Sequence, residues 1–145
     1  MGNGVSIVSM DDISRQIYQL LCPLWSAEIS YEPHKWTKEN PSFGQCVPTV
    51  LLLQDYLDGE IDRADVLLKN KSVEQHYWNI IKGTKIDVTI FQYADQIQSM
   101  TAKPLRTGFA NLRDFVFSYE GTRVRYEKLK HNAECTGLAS KLPLF

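Results

Sequence analysis

A chain of 145 residues, 43% hydrophobic and 23% charged, has the composition of an ordinary globular protein and enough length to bury a core. Its formal net charge of −1 excludes both the strong positive field of a nucleic-acid binder and a generally acidic surface. One domain over residues 1–145 is expected.

Three widely spaced cysteines (Cys22, Cys46, Cys135), with no CxxC pair, make a poor disulfide framework and a poor zinc site, and suit a reducing, cytoplasmic compartment. The longest apolar run, Val50 to Leu53, is one helical turn, far short of a membrane span, and no basic-then-apolar leader opens the chain. Gly2 followed by Ser6 fits the myristoylation pattern, which is short enough to arise by chance. Neither a cofactor, a membrane nor a nucleic acid is expected as a partner.

In chain order, Asp11 to Trp25 reads as a helix with an apolar stripe of Ile13, Ile17, Leu20, Leu21 and Leu24, capped by Asp11 and Asp12 and ended by Pro23. Cys22 falls on that stripe. From Ser26 to Gly44 periodicity is lost, and Tyr31, Trp36 and Phe43 are rings that an ordered loop presses onto the domain. Cys46 to Gly59 reads as a helix, with Pro48 in its first turn and Gly59 as its stop, apolar nearly all round and therefore buried. Strands are expected over Glu60 to Leu68, Val73 to Ile81 and Ile86 to Tyr93, the last two joined across Lys82-Gly83-Thr84 as a hairpin. Ala94 to Phe109 reads as a connection and Asn111 to Ser118 as a short helix. A basic helix is expected from Arg123 to about Leu142, with Arg123, Arg125, Lys128, Lys130 and His131 on a solvated face. The fold class is α+β, a buried helix headed by Cys46 packed on a small antiparallel sheet.

The chemistry-bearing residues follow one another as a cysteine at a helix start, a histidine on a strand (His76) and a carboxylate on the next strand (Asp87). The positive end of a helix favours thiolate over thiol. An imidazole within reach takes the thiol proton and returns it to a leaving amine, and a carboxylate on the far ring nitrogen fixes the tautomer. The backbone N–H of Cys46, with Gln45 or Asn40, is the expected oxyanion donor set, and Asn79 is an alternate hydrogen-bonding residue. A two-residue turn between Ile81 and Thr84 puts His76 opposite Thr89 with Asp87 as its diagonal neighbour, about 7–8 Å away at the backbone. A one-residue slip would separate their faces. Trp36 and Trp78 are the candidates for a substrate groove. A metal bound by Cys46, His76 and Asp87 would lack a fourth ligand at a recognisable spacing.

The segments Trp36-Thr37-Lys38-Glu39-Asn40-Pro41-Ser42-Phe43-Gly44-Gln45-Cys46, Gln54-Asp55-Tyr56, Gly59-Glu60-Ile61, His76-Tyr77-Trp78-Asn79 and Ile86-Asp87-Val88-Thr89 together resemble the YunG-like family of small bacterial proteins. The resemblance implies a compact relative of the papain-like and transglutaminase-like group. Position by position it implies Cys46 as nucleophile, His76 as base and Asp87 as the group that orients it. Val47-Pro48 departs from the small residues common after the cysteine in that family. The function expected is cysteine-dependent acyl transfer on a small amide or peptide, of amidase, peptidase or deamidase type. The competing expectation is an interaction or ligand-binding module that keeps the fold without turnover. Its binding elements would be the aromatic loop and the basic helix.

Overall fold

The computed structural model describes residues 12–105 and 108–143. Asp11, Gly2 and Ser6, named above, lie outside the described residues. The architecture is mixed α+β, with helices packed around a four-stranded antiparallel sheet. The first helix, α1 (Asp12–Leu21), buries Ile17 and Leu21, and Pro23 turns its end into a short 3-10 turn over Cys22–Leu24. The helix α2 (Cys46–Leu57) buries Cys46 and every residue from Pro48 to Leu53, as its unbroken apolarity requires.

Gly59 is where α2 can stop and the sheet begin. Its φ of +86° suits a residue without a side chain, and a Cβ there would meet the Ile80 carbonyl oxygen at 2.3 Å.

The strands are β1 (Glu60–Leu68), β2 (Val73–Ile81), β3 (Thr84–Ile86) and β4 (Ile97–Ala102), in the order β3-β2-β1-β4. Lys82 and Gly83 both take positive φ, 50° and 79°, as a two-residue hairpin turn demands, so Ile81 pairs with Thr84 and Asn79 with Ile86. That register is the expected one, but its extent is not. The third strand ends at Ile86, and Ile90–Tyr93 forms a 3-10 turn instead of continuing the ladder. Ile86 and Val88 are buried as the alternation required, but Thr89 is buried too and Ile90 is not, so the period of two fails there. The segment read as a connection contains β4, which pairs with β1 as an edge strand and exposes nearly every side chain.

Beyond the sheet lie α3 (Leu112–Phe117), α4 (Glu120–Thr136) and α5 (Leu138–Lys141). Asn111 caps α3 by accepting the Asp114 N–H at 2.8 Å. The basic helix begins at Glu120 rather than Arg123 and breaks at Gly137, which adopts the left-handed conformation. Two buried clusters result. One joins α1, α2, β2, β3 and α4 through Ile17, Leu52, Leu53, Ile81, Ile86 and Leu129. The other gathers Cys46, Val50, Leu51, Tyr77, Phe115, Val116 and Tyr126. Arg113 ties α3 to α2 by donating to Asp55 at 2.7 Å and Gln54 at 2.8 Å, and the Tyr126 hydroxyl donates to the other Asp55 oxygen.

Among the described residues, no helix is long and apolar enough to cross a membrane.

Candidate functional site

Cys46 is the first residue of α2 and 8% exposed. The N–H groups of a helix's first turn have no partner within the helix, so partial positive charge gathers at the thiol. The approach to Cys46 is fixed by Gly44, whose φ is +70° and whose missing Cβ would otherwise lie 2.2 Å from Ser30 Oγ and 2.8 Å from the Tyr31 nitrogen. The Tyr31 N–H donates to the Gly44 carbonyl at 2.9 Å, so the loop crosses itself immediately before the cysteine.

His76 is fully buried on β2. Although β3 stops one residue short of it, Asp87 still turns its carboxylate onto His76. The ring Nε2 lies 2.9 Å from Oδ1 and 2.8 Å from Oδ2, which places the Nε2 proton between the two oxygens and leaves Nδ1 as the basic edge. Nδ1 is buried and has no partner of good hydrogen-bond geometry among the described residues, while the Cys46 thiol is close enough to act on the ring. Burial is the largest influence on the imidazole and pulls its pKa down. The hydrogen bond and charge of Asp87, together with Cys46, overcome it and raise the pKa from 6.5 to about 9. Tyr93 packs edge-on against His76 at 5.2 Å, and its own hydroxyl is held neutral first by burial and then by the neighbouring Cys46, Glu74 and Asp87.

The thiol opens into a cavity of about 1040 Å³. Its aromatic wall is Tyr31, Tyr77, Tyr93, Phe115 and Tyr119. Trp36 and Trp78, expected in a groove, do not line it. The Trp36 indole N–H is spent on the Pro41 carbonyl at 2.9 Å within its own loop, and Trp78 is buried under the Lys85 ammonium, 4.1 Å from the ring centre. Tyr31, expected to press onto the domain, is 70% exposed and forms part of the cavity rim.

Each of the three amides expected near an oxyanion has its donor group engaged elsewhere. Gln45 donates to the Ser26 carbonyl at 2.8 Å, Asn40 to the Gln92 carbonyl at 3.0 Å, and Asn79 to the Val50 carbonyl at 3.0 Å. The cavity wall instead carries Gln92, whose Oε1 accepts the Gly44 N–H at 3.1 Å and whose Nε2 is buried without a partner.

Two guanidinium groups on this wall also escaped the sequence reading. Arg63 is 1% exposed on β1, and Arg125 of α4, expected on a solvated face, is half-buried against the cavity. Burial lowers the Arg125 pKa, with Tyr31 and Cys46 acting in the opposite direction. Sequence parity held a signal for Arg63, because it shares its strand face with Ile61, which packs on the Cys46 cluster.

The other thiols differ in kind. Cys22 is half-buried beside Tyr18, and burial raises its pKa; Cys135 is exposed with its sulfur 3.6 Å from His131 Nε2.

Comparison with known proteins identifies the family. The model of the family described as YunG protein matches residues 14–136, so the chain belongs to the YunG family. A relative from Bacillus subtilis (strain 168), described as uncharacterized protein YunG, is 36% identical over 74 residues, which is 51% of this chain and 57% of that protein. The match thus spans little more than half the length of that relative. No solved structure matches.

Proposed function

We propose that this member of the YunG family is a cysteine-dependent acyl-transfer enzyme acting on an amide or peptide bond, with a fold akin to the papain-like and transglutaminase-like group. The observation that carries the reading is the buried His76 ring. It is anchored to Asp87 through Nε2 and has a free Nδ1 edge, with a helix-headed thiol beside it and an open cavity in front of that thiol.

The chemistry is direct. Cys46 Sγ, as thiolate opposite the His76 imidazolium, forms a bond to the substrate carbonyl carbon, and the carbonyl π pair moves onto oxygen. The resulting oxyanion is met by the backbone N–H of Cys46, since Pro48 has none and that of Thr49 donates to the Gln45 carbonyl, and by the Nε2 of Gln92. Collapse breaks the carbon–nitrogen bond, and the departing amine takes the imidazolium proton. A thioester and a neutral His76 remain. Water or a second amine then attacks the thioester, its proton passes to His76, and the thiolate leaves with its electron pair, restoring the starting ion pair. Asp87 holds the ring in one orientation throughout and stabilises its charged form.

Iodoacetamide labelling of a Cys22→Ser, Cys135→Ser protein tests the reading, since the exposed Cys135 would otherwise compete. Cys46 should react at pH 7 faster than a free cysteine peptide, and His76→Ala should slow it by about tenfold or more, the usual scale of general-base assistance and thiolate activation. A Cys46 no faster than the peptide and indifferent to His76 would end it.

A further inference from the structure

The cavity in front of Cys46 has a charge pattern that an amide-cleaving site for neutral substrates does not need. Arg63 is almost wholly buried, yet among the described residues no carboxylate pairs with it. Its NH1 donates to the Tyr77 hydroxyl at 3.2 Å, its NH2 donates to the Pro104 carbonyl at 2.5 Å, and its Nε has no partner among the described residues. The guanidinium lies over the Phe115 ring at 4.9 Å. A buried cation without a counter-charge is costly to keep, which makes the site suited to an anion.

Arg125 repeats the pattern on the opposite element. It lines the same cavity, lies over the Tyr31 ring at 5.4 Å, and also has a buried Nε with no partner among the described residues. Among the described residues no carboxylate forms an ion pair with it. Gly121, one turn earlier on α4, makes room for it, since a Cβ there would stand 3.0 Å from Arg125 NH1.

Among the described residues, none of the other charged groups on the wall, Glu32, Glu74, Lys103 and Glu120, forms an ion pair with these two. Lys103 is paired with Asp65 at 3.4 Å and Glu32 with Lys35 at 3.1 Å; Glu74 feels Glu32 and Lys35. Glu120 begins α4.

Resting on the acyl-transfer reading, we infer that the substrate carries a free carboxylate, bound by Arg63 and Arg125 in the Cys46 cavity while the scissile amide reaches the thiol. A guanidinium offers two parallel N–H donors matched to a carboxylate, and its aromatic backing leaves the fork rigid. The substrate class is therefore an amide of a molecule bearing an additional carboxylate, such as a peptide ending near the scissile bond or carrying an acidic side chain.

The test uses the full chain in the Cys22→Ser, Cys135→Ser background, with glutarate as probe, glutaramide as its neutral counterpart and inorganic phosphate as the competing anion. Binding is read by calorimetry and by protection of Cys46 from iodoacetamide. Glutarate should bind at least about tenfold more tightly than glutaramide, the factor expected for one charge-assisted hydrogen-bonded contact. Arg125→Gln and Arg63→Gln should each bring the two ligands close to parity. If Arg63→Gln does not fold, Arg125→Gln decides. Equal binding of glutarate and glutaramide, tighter binding of phosphate, or unchanged selectivity in the variants would overturn the inference. Selective glutarate binding beside an unreactive Cys46 would instead sink the acyl-transfer reading and leave the carboxylate site standing.

Discussion

Gln92 holds Gly44: its side-chain carbonyl accepts the Gly44 N–H at 3.1 Å, two residues before the thiol, while its own backbone carbonyl accepts from Asn40 at 3.0 Å. The 3-10 turn that replaces the end of the expected third strand thus fastens the cysteine loop at two points. It also presents to the cavity an amide whose Nε2 is buried and, among the described residues, without a partner. Two substitutions separate the two roles. Gln92→Glu keeps an acceptor for Gly44 and removes the NH2 group, so it should leave the melting temperature near that of the parent while slowing acyl transfer to an amide by about 10²-fold, the scale of a lost oxyanion donor. Gln92→Ala should lower both. Turnover by Gln92→Glu at the parent rate, once a substrate is known, would remove Gln92 from the chemistry.

The pH dependence of stability follows from His76. Its folded pKa, raised from 6.5 to about 9, means that the folded protein holds this proton more tightly than the unfolded chain does. Its stabilising contribution is therefore fully present below about pH 6.5 and declines as pH climbs through about 9. Asp87→Asn removes the charge that opposes burial, so the ring should turn neutral at lower pH and that alkaline decline should flatten. Urea titrations from pH 6 to 10, with the ring followed by NMR, measure both. A His76 resonance that titrates near the ordinary value in the parent protein would refute the ion-pair account.

What the sequence made legible was governed by local physics. The helix headed by Cys46 announced itself through Pro48, a continuous apolar run and Gly59, and the hairpin register followed from the two residues between Ile81 and Thr84. Those two readings were enough to put His76 and Asp87 within reach of each other. What stayed hidden depended on partners distant in the chain. The strand β4 has no apolar alternation because one neighbour, β1, holds it by backbone bonds at the sheet edge, and its side chains stay exposed. Arg125 looked like one more charge on a solvated face because only the folded chain brings Tyr31 over it. The amides of Gln45, Asn40 and Asn79 looked free for the same reason: their acceptors are the carbonyls of Ser26, Gln92 and Val50.

Gly44, two residues before the thiol, has no room for a side chain. Alanine there combines a positive φ with a collision against Ser30 and the Tyr31 backbone, so Gly44→Ala should cost about 1–3 kcal/mol of unfolding free energy. Because the strain falls on the loop that presents Cys46, alkylation of the thiol should change as well. The comparison variant is Gly83→Ala, which shares the positive φ but has open space at the Cβ position. A smaller penalty at Gly83 in denaturant titrations isolates the steric part; equal penalties would mean that conformation alone accounts for the effect.

Asn79 separates support from chemistry most cleanly. It lies on β2, three residues beyond His76, but its side chain points into α2 and donates to the Val50 carbonyl, one turn along from Cys46. The bond is buried, so Asn79→Ala removes it while that carbonyl keeps its place in the helical ladder of α2, and should cost about 0.5–1.5 kcal/mol, the usual worth of one such hydrogen bond. Its side chain does not line the cavity, so the Cys46 labelling rate, measured well below the denaturation midpoint, should stay within about twofold of the parent, since no transition-state contact is lost. The reverse pattern, stability retained and labelling cut by an order of magnitude, would show that Asn79 acts on the thiol and not merely on the helix that carries it.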